Sequence, residues 1–254
     1  MKMKTLLKML RRSNKDKSRL TPREIRRLRV EPEFIDMVQT SNAIDRFSEK
    51  LYTTYTSIEY LLKNRIPGDY VECGVYKGRH ISMIVMTLLK RGVTDRDIYL
   101  YDTFAGMTKP GPHDVRTSRV NKGSNPVEEW ETLNTEDGYL IRYAGLDEVK
   151  NYVFETGYPK EHFHFVQDDI KETVPNNRHK KIALLRLDTD WYELTKHELV
   201  HMYDLVSLGG VLIIDDYGSH EGARKAVDEF FAGQGLFPFL FRTNKNERAM
   251  VKTA

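Results

Sequence analysis

The chain has 254 residues, 40% hydrophobic and 30% charged, with a formal net charge of +3. That length supports one large domain with its own core, and no run approaches the ~18 apolar residues of a membrane span. A single cysteine, Cys73, excludes an internal disulfide and a cysteine-built zinc site, and suits a reducing cytoplasm, the expected location.

The charge is uneven from the start. Residues 1–29 carry twelve Lys or Arg and two acids, Asp16 and Glu24, so this stretch holds +10 and the remainder −7. A body of that sign disfavours nucleic acid as a partner and directs attention to clustered carboxylates. Met3, Leu6, Leu7 and Leu10 follow helical spacing among Lys2, Lys4, Lys8, Arg11 and Arg12. This basic arm, residues 1–20, could lie on a membrane surface, but a solvated arm or a subunit contact is the plainer reading. Thr21-Pro22-Arg23-Glu24 reads as a helix start, with Thr at the N-cap, Pro behind it and Glu closing a capping box. A second helix is expected near 43–64, through Ile44, Phe47, Leu51, Tyr55, Ile58, Leu61 and Leu62, stopped by Pro67-Gly68. Residues 21–66 thus form a helical N-terminal or lid region, and 67–254 the main domain.

The pattern then changes. Tyr70–Cys73 is a short strand, with a turn at Gly74–Gly78 and a helix over Ile81–Leu89. Strands follow at Ile98–Tyr101, Phe163–Val166, Ile182–Leu187 and Gly210–Ile214. Ile182–Leu187 is nearly continuously apolar, as a buried central strand is, despite Arg186. Helices are expected at about 193–206 and 220–233, and Phe237–Phe241 with Ala249–Val251 reads as a closing pair of strands. The alternation implies a Rossmann-like, doubly wound α/β fold with a mostly parallel seven-stranded sheet. Residues 103–140, rich in Gly, Pro, Asn and Thr, read as a functional lid or a disordered loop.

In open α/β sheets, ligands bind beyond the carboxyl ends of the strands. Those ends carry Glu72, Asp102, Asp188, Asp190, Asp215 and Asp216. One such acid is often a helix cap, but several converging repel one another unless a cation or ligand compensates. Glu72-Cys73-Gly74-Val75-Tyr76-Lys77-Gly78 has the form E-x-G-x-x-x-G, not the G-x-G-x-x-G of dinucleotide enzymes. Asp102 follows Gly74 by 28 residues, where a carboxylate can accept two ribose hydroxyls. A tight turn with a capping acid explains that pair equally well. The second cluster is more specific. Asp188-Thr189-Asp190-Trp191-Tyr192 closes one buried strand and Asp215-Asp216-Tyr217-Gly218 the next. Adjacent strands lie about 4.8 Å apart, so their terminal carboxylates can share one ion, and an all-oxygen set suits Mg²⁺.

Other motifs are weighed and set aside. His197-Glu198-Leu199-Val200-His201 matches the H-E-x-x-H zinc signature, but its helix should pack along the sheet, away from the pocket, leaving two helix-surface histidines. Cys73 is expected to be a small buried hydrophobe. His113 and His220 flank the supposed pocket and read as exposed loop or cap residues. Trp191 and Tyr192 either stack on a sugar face or pack against the next helix.

These blocks resemble the macrocin O-methyltransferase family of Class I S-adenosylmethionine-dependent methyltransferases. The resemblance lies in Pro67–Val75, in Leu187-Asp188-Thr189-Asp190-Trp191-Tyr192-Glu193-Leu194-Thr195, and in Gly209-Gly210-Val211-Leu212-Ile213-Ile214-Asp215-Asp216-Tyr217-Gly218 with Glu221–Glu229 behind it. Asp102-Thr103-Phe104-Ala105-Gly106-Met107 is similar to the family's D-S-F-x-G-L. The likeness runs from about residue 44 to 242. It implies a Mg²⁺-dependent O-methyltransferase that moves the methyl of S-adenosylmethionine to a sugar hydroxyl on a natural product or glycan. By resemblance, Asp188, Asp215 and Asp216 hold the metal, and Asp190, beside Asp188, is the candidate general base. Glu72, Gly74, Tyr76 and Gly78 line the cofactor site, and Asp102 takes the ribose with Phe104 next to it. Asp168 and Asp169 fall where the family contacts adenine, in place of its usual Gly and aromatic. The 103–140 loop departs widely, so the antibiotic-sugar substrate is not carried over. The family also implies a homodimer or larger oligomer, with N-terminal helices helping to close the site. Two alternatives remain: a catechol-type small-molecule O-methyltransferase, and an inactive methyltransferase-like binding protein. The intact acids argue against the second.

Overall fold

A computed structural model describes residues 30–41, 48–115, 126–135, 138–139 and 143–253. The expectations for the basic arm, for the helix start at Thr21, and for Ile44 and Phe47 lie outside the described residues. Seven strands form one sheet: β1 (Asp69–Cys73), β2 (Ile98–Asp102), β3 (Phe163–Gln167), β4 (Ile182–Leu187), β5 (Val206–Ile214), β6 (Phe241–Arg242) and β7 (Arg248–Val251). Their order is β3-β2-β1-β4-β5-β7-β6. The first five run parallel, and β7 pairs antiparallel with both β5 and β6. The seven-stranded, doubly wound sheet read from the sequence is therefore present. The expected strand at 237–241 shrinks to Phe241–Arg242. Pro238 lies inside it and has no N–H for a ladder.

Helices cover both faces: α1 (Pro32–Thr40), α2 (Glu49–Lys63), α3 (Arg79–Lys90), α4 (Pro126–Leu133), α5 (Leu146–Phe154), α6 (Ile170–Thr173), α7 (Tyr192–Met202) and α8 (Glu221–Gly233). α4 and α5 were not foreseen, whereas α1 falls within the stretch 21–66 expected to be helical. Part of the stretch read as a loop is thus helical, and Trp130 of α4 donates its indole N–H to the Met107 carbonyl at 2.9 Å. The side chain of Ser48 caps α2 by accepting from the Leu51 N–H at 3.1 Å. Glu49 at its start and Lys63 at its end complement the helix dipole.

The pleat sorts side chains between two cores. Leu184 of β4 and Val211 and Ile213 of β5 pack with Ile58 and Leu61 of α2 and Ile81, Ile84 and Leu88 of α3. On the opposite face, Leu185, Leu187, Leu212 and Ile214 meet Leu199 and Met202 of α7 and Val227 and Phe230 of α8. Truncating a fully buried residue such as Leu184 to Ala costs about 2–5 kcal/mol. The same alternation sets the chemistry. Glu72 is in register with Arg186, and Arg186 with Ile213. Glu72 and Arg186 therefore share the face of α2 and α3, and Asp215 continues the parity of Ile213 onto it.

Candidate active site

The chain winds outward from β1 through β2 to β3, then returns to lay β4 on the other side of β1. That reversal opens a crevice beyond the carboxyl ends of β1 and β4. A cavity of about 960 Å³ occupies it, near the upper end for small-molecule sites. Its wall includes Glu72, Gly74, Tyr76, Asp102 and Asp168 of the expected cofactor set. Asp188, Asp190, Asp215 and Asp216 line it as well.

The β1–β2 side is built on backbone. Gly74 has φ +83, and a Cβ there would lie 2.1 Å from the Asp188 carbonyl oxygen. Glycine thus lets the β1 turn lie against the end of β4. Asp102 accepts from the Val75 N–H at 2.7 Å and the Tyr76 N–H at 3.0 Å on Oδ2, and from the Phe104 N–H at 2.8 Å on Oδ1. A carboxylate offers about four acceptor positions, so Asp102 braces the turn and keeps capacity for about one further donor. Three expected cofactor residues lie outside the wall. Gly78 starts α3 at φ +75, facing Val153. Phe104 is buried in the core against Phe165. Asp169 caps α6 by accepting from the Lys171 N–H at 2.9 Å.

The β4–β5 side is built on charge. The guanidinium of Arg186 is fully buried. Its Nη1 donates to Glu72 Oε1 and to Asp188 Oδ2, each at 2.8 Å, and its Nη2 donates to Asp215 Oδ1. His80 Nε2 lies 3.2 Å from that Nη2, and His80 Nδ1 lies 2.8 Å from Thr54 Oγ1. An arginine can only donate, so His80 Nε2 accepts; burial, then Arg186, hold its pKa well below the usual value. Lys50, in the first turn of α2, pairs with Asp215 Oδ2. Both oxygens of Asp215 are thus engaged by cations of the chain.

Asp216 is different. Its Oδ1 accepts from Ser219 Oγ at 3.0 Å and lies 3.3 Å from His220 Nδ1. Its Oδ2 is buried with no hydrogen-bond partner among the described residues. Burial, reinforced by Asp190 and Asp215, pushes Asp216 up to about 8. Burial also pushes Glu72 up to about 8, against the opposing pull of Arg186. Asp190 is 3% exposed, adopts φ +64 and lies 3.4 Å from His220 Nδ1. Carboxylate oxygens of Asp188, Asp215 and Asp216 come within 4.8 Å of one another, and so do ligand atoms of Asp190, Asp216 and His220. The first set is all oxygen and keeps a buried carboxylate oxygen without a hydrogen-bond partner among the described residues. It fits a hard divalent cation such as Mg²⁺.

Lys50, His80, Ser219 and the bridging role of Arg186 were not anticipated. The sequence cue for Arg186 was a charge inside a buried strand, which demands partners. His220, expected to be exposed, is 5% exposed and wedged between Asp190 and Asp216. His113 is exposed, as expected. Trp191 lines the cavity, whereas Tyr192 lies outside it and donates to Glu229 at 2.6 Å. Cys73 is fully buried, and burial pushes its thiol well up. On α7, His197 and His201 are half-buried rather than on the surface, and Glu198 between them is fully buried. Among the described residues they join no three-ligand group.

A parallel sheet closed by an inserted antiparallel strand, with its crevice at the β1–β4 reversal, defines the Class I methyltransferase fold. The solved O-methyltransferase NovP superposes with a TM-score of 0.71 at 24% identity, covering 85% of this chain and 84% of that one. Calicheamicin methyltransferase CalS11 gives 0.56 at 21% identity, over 80% and 78%. The macrocin-O-methyltransferase (TylF) family matches residues 46–242, and the chain belongs to that family. Among its relatives is the 8-demethyl-8-(2,3-dimethoxy-alpha-L-rhamnosyl)-tetracenomycin-C 4'-O-methyltransferase of Streptomyces olivaceus, 29% identical over 70% of this chain and 64% of that one. Another is the demethyldecarbamoylnovobiocin O-methyltransferase of Streptomyces niveus, 29% identical over 69% and 62%. The match therefore spans less than two thirds of the length of either relative. No described helix is long and apolar enough to cross a membrane.

Proposed function

We propose that the protein is an S-adenosylmethionine-dependent O-methyltransferase that uses Mg²⁺ to methylate a sugar hydroxyl. The relatives named above support the sugar class. The observation that carries the metal is the convergence of Asp188, Asp215 and Asp216, together with the buried, unpartnered Oδ2 of Asp216. Glu72, Gly74, Tyr76 and Asp102 would hold the methyl donor, which supplies an activated sulfonium methyl. Asp188, Asp215 and Asp216 would hold the cation, which when bound lowers the pKa of a coordinated hydroxyl and orients a neighbouring one. Asp190 takes the hydroxyl proton as the methyl moves. It lines the cavity, with His220 Nδ1 3.4 Å from its Oδ1. Trp191 offers an aromatic wall for a sugar ring. Fixing donor and acceptor together supplies about 7–11 kcal/mol of barrier reduction. The same reading has the chain working as a homodimer or larger, in the cytoplasm.

The test is methyl transfer from labelled S-adenosylmethionine to a panel of rhamnosides, nucleotide sugars and catechols, with Mg²⁺ or with EDTA. The expected result is product from a sugar acceptor and at least a roughly hundredfold loss in EDTA. Full activity in EDTA would remove the metal, and turnover confined to catechols would remove the sugar.

A further inference from the structure

Asp215 is central to the metal set, and each of its oxygens already faces a cation of the chain. Arg186 takes Oδ1 from inside the sheet, and Lys50 takes Oδ2 from α2. The two cations differ in kind. Arg186 is fully buried, locked by Glu72, Asp188 and His80, and cannot leave without stranding several acids. The Lys50 side chain is 24% exposed, lines the cavity, and has Asp215 as its only salt-bridge partner among the described residues. Its stem is flexible and its ammonium is a point charge. It sits two residues after the Ser48 N-cap, on a helix otherwise anchored by Leu51, Tyr55, Ile58 and Leu61.

We infer that Lys50 is a tethered counter-ion that competes with the divalent cation for Asp215 and so sets the metal affinity of the site. This rests on the metal reading above. In the metal-free protein, the ammonium neutralises Asp215. Metal binding would set a second cation against the carboxylate that Lys50 already neutralises. A positive charge beside the ligand oxygens opposes a second cation wherever the lysine finally rests. Lys50 is accordingly a positioning residue, acting through Asp215. This competition also couples metal occupancy to the first turn of α2, which packs against the sheet.

The test uses the full chain, stripped of metal and titrated calorimetrically with MgCl₂ alone. Wild type, Lys50→Met and Lys50→Arg are compared, and their thermal midpoints are read in EDTA and in saturating Mg²⁺. Lys50→Met should bind Mg²⁺ about tenfold or more tightly than wild type. In EDTA it should melt below wild type, because Asp215 has lost its neutralising charge, and Mg²⁺ should close that gap. Lys50→Arg keeps the charge and should stay within about threefold of wild-type affinity. Should Lys50→Met fail to fold, Lys50→Gln carries the same comparison. Wild-type binding with unchanged or weaker binding in the neutral variants overturns the role of Lys50 and leaves the metal site standing. No Mg²⁺ binding by any form overturns the metal reading and this inference together.

Discussion

The two sides of the crevice hold their acids by different means. On the β1–β2 side, Asp102 is held by three backbone N–H groups, from Val75, Tyr76 and Phe104. On the β4–β5 side, Asp188 and Asp215 are held by side-chain cations, and Asp216 keeps an unpartnered oxygen. Backbone dipoles fix a carboxylate without adding a charge and cannot be displaced while the turn persists. Side-chain cations leave a charged, adjustable cluster, which a stronger cation can enter. The first arrangement suits a cofactor that must always be seated the same way. The second suits a metal that comes and goes.

The largest effect that separates the two sides is on turnover. Asp215→Ala should lower kcat by about a hundredfold or more while the affinity for S-adenosylhomocysteine stays within about twofold. A parallel loss of cofactor binding would merge the two sides into one. Next comes stability. Arg186→Met strips the shared partner from Glu72, Asp188 and Asp215 and should cost about 3–5 kcal/mol in urea unfolding, the scale for breaking a buried ion pair. A cost below about 1 kcal/mol would show that the acids are solvated or protonated instead. On the other side, Asp102→Ala should weaken S-adenosylhomocysteine about tenfold and leave Mg²⁺ affinity unchanged in calorimetry, since its partners are the Val75, Tyr76 and Phe104 backbone on the β1–β2 side.

The remaining effect is on pH dependence. Asp216 and Glu72 are both raised to about 8, above the ordinary 3.8 and 4.5. The metal-free fold therefore keeps protons that the unfolded chain has lost. Their contribution is full below about pH 4 and lost as pH rises through about 8. In EDTA the thermal midpoint should fall steadily as pH rises from about 5 to 8.5. Mg²⁺ should flatten that fall by holding Asp216 deprotonated. A flat profile in EDTA would mean that Asp216 is ionised and compensated without metal.

The β4–β5 acids were legible in the sequence because strand periodicity fixes where a strand ends and therefore where its last acids lie. Ile182–Leu187 was placed without error for that reason. Arg186 stood out as a charge in that strand, but its partner Glu72 depends on the β1–β4 register, which local pattern does not encode. Lys50 was invisible. It lies 165 residues from Asp215, and on its own helix only the apolar face has a period to read. His220 was taken for a surface cap because its position before a helix is the ordinary place for one. Its burial comes from Trp191, whose ring lies 5.7 Å away, and from Asp190, both distant in sequence, together with Asp216 four residues before it. Phe104 matched a family motif yet lies in the core against Phe165, a contact between distant residues that the motif does not encode.

The central claim is that one side of the crevice binds the methyl donor and the other an exchangeable divalent cation. The most direct measurement is calorimetric titration with S-adenosylhomocysteine in EDTA and in Mg²⁺, followed by Mg²⁺ titration of the saturated protein and of its Asp215→Ala variant. The account predicts cofactor binding in both buffers and a Mg²⁺ signal that vanishes in the variant. Absence of cofactor binding, or a Mg²⁺ signal that survives Asp215→Ala, would contradict it.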